Sequence, residues 1–228
     1  MASAFLFYHR QGLDRDIEMD RDMDMLQAAW SKIWQALGCR QDTLLMERLM
    51  AAYAEPHRQY HTLQHLAECI ALFEQYAHLA ERPHEVGIAL WFHDAVYALR
   101  EPDNEAKSAA WADEALAAAA VSRDVILRVK GLILATCHDA VPDDRDQQLM
   151  VDIDLAILGA PDSRFAEYEA QVREEYAWVP EPRFRQVRAG LLTQLLARPR
   201  IYNTQAFQER FEAQARKNLA DSVEYLRG

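Results

Sequence analysis

The sequence predicts an all-α protein, and three observations carry that prediction. Only 7 glycines and 8 prolines occur in 228 residues, while alanine, leucine, glutamate and glutamine abound, a bias that favours helix. Apolar residues recur at helical spacing in one segment after another, and no convincing period-2 run marks a strand. The breaks between segments carry helix punctuation, with Asp, Ser or Thr at the starts and Gly or Pro at the ends.

Taken in order, a first helix is expected from Asp24 to Leu37, closed by Gly38, and a second from the N-cap Asp42 to Ala54, ended by Pro56. The third carries HTLQHLAECIALFEQYAHLA, and Pro83 suits the first turn of a fourth, HEVGIALWFHDAVYAL. Asp103 would cap NEAKSAAWADEALAAAA, and Ser122 would cap RDVILRVKGLILATCHDA. DRDQQLMVDIDLAILG runs to Gly159, and Asp162 or Ser163 opens RFAEYEAQVREEYAW. After Pro180 and Pro182 come FRQVRAGLLTQLLAR, and then TQAFQERFEAQARKNLADSVEYLR, opened at Asn203 or Thr204. No linker or repeat divides this run, so residues 24–228 read as a single all-α bundle of about ten helices. Residues 1–23, charged, repetitive and without a helical face, read as a loose N-terminal tail.

A net charge of -11 argues against nucleic acid or an anionic membrane as partner, because both are held by clustered Lys and Arg. A small anion stays open to such a chain if a cation sits in the site. The apolar patch from Ala4 to Tyr8 is too short for a signal core or a bilayer span. Cys39, Cys69 and Cys137 are odd in number and scattered, which suits the reducing cytoplasm rather than a disulfide framework or a Cys-rich zinc site.

Chemistry enters where polar residues interrupt apolar helices. His93 and Asp94 follow Leu90 and Trp91 and precede Val96 and Tyr97. His61 and His65 stand four apart, hence on one helical face, and Leu66, Cys69, Ile70 and Phe73 mark that side as inward. Asp152 and Asp154 lie among Leu149, Val151, Ile153 and Leu155. Each interruption alone is a desolvation problem, and one shared divalent cation answers all of them. Two imidazoles and two carboxylates form a mixed nitrogen and oxygen set that suits Mn²⁺, Fe²⁺, Co²⁺ or Zn²⁺ better than Mg²⁺ or Ca²⁺. Four protein ligands on a six-coordinate ion leave places for water and substrate. A second His-Asp pair, His138-Asp139, stands at a helix end where exposure is cheap.

These motifs bear a likeness. R-x-YH-x3-H at Arg58 to His65, WFHDAVY at Trp91 to Tyr97, DNE-x2-SA at Asp103 to Ala109 and DIDLAILG at Asp152 to Gly159 resemble the HD-domain superfamily of metal-dependent phosphohydrolases. More narrowly, they resemble a bacterial branch usually described only as predicted HD phosphohydrolases. The match covers Tyr53 to Gly159. The resemblance implies metal ligation by His65, His93, Asp94 and either Asp154 or Asp152. Asp154 is preferred because Leu155 follows it directly, and since the two aspartates point about 200° apart on a helix, the other would cap or orient a partner.

The resemblance also implies an acidic residue near the nucleophilic water shortly after the HD pair, a place taken by Glu105, with Asn104 beside it; a first-turn helix acid is the alternative for Glu105. Asp94 is a further proton acceptor. Arg58 and Tyr60, beside the histidines, offer a grip on an anion. His61 is either a substrate-contacting group or a solvent-facing histidine at a helix start, and His138 either reaches the pocket or sits where the helix dipole favours it. Tyr168, Tyr176 and Trp178 read as core or subunit surface, which admits a homodimer. The implied activity is hydrolysis of a phosphate ester or anhydride in a small metabolite, possible nucleotides included; the rivals are a metal-containing metabolite sensor and an HD-fold di-iron oxygenase that uses His61 and His138.

Overall fold

A computed structural model describes residues 21–138 and 141–228. Among these residues there are ten α-helices and no strand. The N-terminal residues 1–20, and Asp139 of the second His-Asp pair, lie outside the described residues. Helix α1 already runs at residue 21 and extends to 36, so residues 21–23 belong to it and not to a tail. Gly38 follows with φ +70, the left-handed conformation that ends a helix cheaply only at glycine. Helix α2 is Thr43–Tyr53, and its N-cap Asp42 accepts from the Leu45 amide at 3.0 Å.

Helix α3 is Leu63–Tyr76, continued by a 3₁₀ turn at Ala77–Leu79. It starts two residues after His61, which therefore sits in the preceding turn rather than on the helix. Helix α4 is Pro83–Phe92, with Pro83 in its first turn as expected. Every residue from Glu85 to Phe92 is buried, as befits a helix apolar around its whole circumference. It contacts α3, α5 (Asn104–Ala118), α6 (Arg123–Ala135) and α7 (Arg145–Asp154), which makes it the axle of the bundle. Glu85 is tolerated there because Arg128 grips it with a two-pronged hydrogen bond, at 2.7 and 2.6 Å.

The sequence pattern carries α4 on to Leu99, yet the helix stops at Phe92. Beyond it the carbonyls of Asp94 and Ala95 turn aside to accept from Arg58, at 2.6 and 3.1 Å, and the Val96 amide donates to Ser108 Oγ at 3.0 Å. The early stop places His93 and Asp94 in the turn at the end of the central helix. Helix α6 likewise ends short, and His138 lies three residues past it with φ +57.

Helix α7 passes into a 3₁₀ segment, Leu155–Gly159, followed by α8 (Asp162–Glu175), α9 (Glu181–Ala197) and α10 (Gln205–Arg227). A single apolar cluster draws side chains from all ten helices, and within it the Trp30 ring meets Trp34 at a tilt and Trp91 edge to face. No described helix is long and apolar enough to cross a membrane.

Gly159 locks the C-terminal half to the rest. A Cβ there would lie 2.7 Å from the Cβ and 2.8 Å from the carbonyl oxygen of Phe211 on α10. Gly159→Ala should therefore cost about 1–3 kcal/mol in overpacking, read as a lowered urea midpoint; an unchanged midpoint would show that α10 yields freely.

Candidate metal centre

The end of α4 brings His93 against His65 of α3, with the two Nε2 atoms 3.1 Å apart. Asp94 Oδ2 lies 3.1 Å from His93 Nε2 and 3.4 Å from His65 Nε2, while Asp154 Oδ1, at the end of α7, lies 3.5 and 3.3 Å from the same two atoms. Donors about 2.1 Å from a common ion and about 90–110° apart stand about 3.0–3.4 Å from one another. The observed spacing matches.

Protonation adds a second reason. His93 Nδ1 is 2.8 Å from the Leu90 carbonyl, an acceptor only, so Nδ1 carries a hydrogen, and Nε2 is the nitrogen turned to the cluster, where it presents a lone pair once its own proton is displaced. That is the tautomer a metal ligand needs. His138 Nε2 donates to Asp154 Oδ2 at 3.0 Å, which orients the carboxylate and leaves Oδ1 facing the imidazoles. His138 holds this position in a left-handed backbone conformation, which costs a residue with a Cβ and tends to persist at functional sites.

Electrostatics describe the same need for positive charge. Burial would push both histidines down, but the negative groups around them, including Asp94 and Asp154, outweigh it and raise both well above the ordinary imidazole range. Burial would push both aspartates up; His93 and His61 beside Asp94, and the hydrogen bonds of His138, His65 and His93 to Asp154, hold them well below the usual carboxylate range. The four groups together ask for about two positive charges, deliverable as two protons or as one divalent ion.

His65, Cys69, His93 and Asp154 form a buried group whose donor atoms lie within 4.8 Å of one another and which could hold a metal ion. Cys69 Sγ, one turn along α3 from His65, is 3.8 Å from each ring nitrogen of His65. The Asp94 carboxylate, 3.4 Å from His65 Nε2, is nearer that imidazole than the sulfur is. The sequence marks Cys69 only as inward-facing; its spacing of four from His65 was the signal for more.

Other expected site residues are placed differently. Asp152 does not join the cluster: it is fully buried and accepts from the amides of Asn203 and Thr204, both at 2.7 Å, and from their side chains at 2.9 and 2.7 Å. It caps α10, on the opposite side of α7 from Asp154, as their angular separation requires. Arg58 is 3% exposed, and its guanidinium is spent on Glu55 and on the carbonyls of His61, Asp94 and Ala95. It is a clamp behind the site, out of reach of a substrate. Asn104 closes the 98–104 loop by bonding both the amide and the carbonyl of Ala98. Glu105 occupies the first turn of α5, and no hydrogen bond or ion pair joins it to the cluster. Asp103 takes the N-cap position without a capping bond and pairs instead with Lys107.

His61 and Tyr60 do stand beside the centre. Tyr60 packs its ring 4.8 Å from that of His65. His61 stacks on Tyr97 at 4.1 Å, and its Nδ1 is 2.8 Å from Glu175 Oε2. Glu175, at the end of α8, also accepts from the Gln59, Tyr60 and His61 amides at 2.9–3.0 Å and from the Tyr97 hydroxyl at 3.2 Å. Burial would raise its carboxyl, but the His61 hydrogen bond and charge together with these amides bring it down to about 2. Glu175 is 114 residues from His61, and nothing local in the sequence announces it.

A cavity of about 410 Å³ opens onto the cluster, lined by Tyr60, His61, His138 and Asp154. A cavity of about 800 Å³ bounded by Arg48, His57 and Trp111 contains none of the cluster's donors. Tyr168, Tyr176 and Trp178 line a third cavity of about 850 Å³ next to the first, so they are binding-surface candidates as well as packing residues. Comparison of the chain with family models, with curated proteins and with solved structures finds no match.

Two outcomes follow from these placements. Asp152→Ala should lose about 1–3 kcal/mol of stability, since it strands four partly buried donors, while binding a divalent ion with unchanged stoichiometry in equilibrium dialysis; loss of ion binding with the fold intact would return Asp152 to the centre. Glu175 has a depressed folded pKa, so its contribution is complete above 4.5 and is lost as pH falls toward about 2. Glu175→Gln should accordingly unfold with a shallower acid limb across that window than the unmodified protein, and equal slopes would contradict the assignment.

Proposed function

We propose that this protein is a metal-dependent hydrolase of small phosphorylated metabolites. The observation that carries the reading is the convergence of His65, His93, Asp94 and Asp154 at ligand spacing, with the Nδ1 hydrogen of His93 committed to Leu90 so that Nε2 is the nitrogen turned to the cluster. The motif resemblance supports the same conclusion over Tyr53 to Gly159. A divalent ion held there, Mn²⁺, Fe²⁺, Co²⁺ or Zn²⁺ before Mg²⁺, would supply Lewis acidity toward a phosphoryl oxygen and acidify water.

The chain's own residues divide the remaining work. His138 keeps the Asp154 carboxylate turned toward the imidazoles. Glu175 holds the hydrogen on His61 Nδ1, so Nε2, at the wall of the cavity, is the nitrogen left to take up or give up a proton. His61 is thus a better candidate than Glu105 for moving a proton between the attacking water and the leaving oxygen. Asp94 remains a second acceptor beside the centre. The overall reaction adds water across the P–O bond and releases an alcohol and inorganic phosphate.

Both His61 and His138 are tied to carboxylates through one ring nitrogen, an arrangement that favours orientation and proton handling over ligation of a second iron. The test is phosphate release from a panel of phosphomonoesters and pyrophosphates by protein stripped of metal and then reloaded with Mn²⁺. Stripping should abolish release and reloading restore it. His93→Ala should lose the bound ion and at least about 10³-fold in rate together. Full activity in the stripped protein or in His93→Ala would overturn the reading, and tight retention of a phosphorylated metabolite without turnover would favour a sensor.

A further inference from the structure

Two cavities meet at one arginine on α9. The smaller, over the cluster, has Arg188 and Arg198 in its wall beside His138 and Asp154. The larger is walled by Tyr176, Trp178 and Phe184. Tyr60, His61, Tyr168, Arg188 and Leu191 line both, so the two spaces adjoin.

Arg188 is largely buried, yet it is not fully used. Its guanidinium pairs with Glu169 and lies 5.1 Å from the centre of the Tyr168 ring, while its buried Nε has no hydrogen-bond partner. A buried cationic N–H without an acceptor is costly and calls for an explanation. A guanidinium edge facing a site that attracts anions is matched by a phosphoryl oxygen.

The larger cavity has a distinct character. In a chain of net charge -11, its wall holds Arg100, Arg183 and Arg188 against the single acid Glu101. The rings carry cations on their faces: Arg100 is 4.7 Å from the centre of Trp178, and Arg173 is 4.6 Å from that of Phe184. Guanidinium groups alternating with aromatic surface form the chemistry that receives a flat π system bearing negative charge. An aliphatic tail would gain nothing from arginines along its wall.

We propose that Arg188 grips the phosphoryl group of the substrate and that the aromatic groove beside it holds a planar aromatic body of the same molecule. The proposal rests on the hydrolytic reading above and narrows its substrate to a phosphomonoester with a flat aromatic moiety. Apart from Arg100, the residues that carry it, Arg188, Trp178 and Phe184, belong to α9 and the connection before it, outside the Tyr53 to Gly159 span.

Binding, not turnover, tests it. Mn²⁺-loaded protein is titrated calorimetrically with three ligands that cannot be hydrolysed, 1-naphthylphosphonate, methylphosphonate and dodecylphosphonate. The naphthyl compound should bind at least about ten-fold more tightly than the methyl compound, and Trp178→Ala should remove most of that advantage without touching methylphosphonate. Arg188→Gln should weaken both by about ten-fold or more. Leu191→Glu, at a position 51% exposed and so safe for the fold, should weaken both through like charge.

Equal affinity for the naphthyl and methyl compounds would sink the aromatic groove, and tighter binding of the dodecyl compound would give the space to an aliphatic chain instead. Affinities within about two-fold of the unmodified protein in both Arg188→Gln and Leu191→Glu would remove the arginine from recognition. The expected binding pattern without phosphate release supports the groove while defeating the hydrolytic reading. Phosphate release without the pattern does the reverse.

Discussion

The hydrogen bond from His93 Nδ1 to the Leu90 carbonyl, 2.8 Å long, fixes the polarity of everything around it. It is made inside the last turn of a fully buried helix, so neither partner can exchange it for water. Because the carbonyl cannot donate, Nδ1 keeps its hydrogen, and Nε2 is the nitrogen that faces His65, Asp94 and Asp154, carrying a proton or turning a lone pair to an ion. An apolar core has no use for a lone pair beside two carboxylates. Protons on the imidazoles or one cation among the four groups would complete the charge, and the surrounding fold keeps that geometry from relaxing.

That arrangement has two tiers. Arg58 draws together the carbonyls of His61, Asp94 and Ala95, which joins the turn before α3 to the turn after α4 and so fixes the distance between the strands of chain that bear His65 and His93. Glu175 binds three consecutive amides of the same turn together with His61 and Tyr97, attaching α8 to the rim of the site. Each device uses a buried charge satisfied by several hydrogen bonds, the condition under which such a charge stiffens a core instead of weakening it. The centre therefore depends on residues from the C-terminal helices that no local motif contains.

Helix number, order and most caps were legible in the sequence because punctuation is local: Asp42, Pro83 and Gly38 act within one turn of their own position. The divergence of Asp152 and Asp154 was legible too, since helical geometry alone sends them to opposite sides. The stop of α4 at Phe92 was not, because Ala95, Val96 and Tyr97 continue an apolar pattern and the cause, Arg58 taking carbonyls 36 and 37 residues away, is tertiary. Arg58 was misjudged for the same reason. An arginine next to histidines looks like an anion grip until its burial is known, and the arginines that line the cavity lie on α9, where their sequence context is unremarkable. Glu105 followed from motif likeness, and the acid that does engage a site histidine, Glu175, is contributed by another helix.

Charge balance links the centre to the stability of the whole molecule. Two carboxylates held far below their usual range and two imidazoles held far above theirs mean that a cluster without metal keeps protons in place of an ion. A divalent ion entering must displace them, so its affinity rises with pH while the folded state remains charge-compensated on either side of the exchange. The same balance makes the phosphorylated ligand proposed above compatible with an acidic chain. Charge at the cluster is balanced from within, and Arg188 and Arg198 in the wall of the cavity above it add positive charge there.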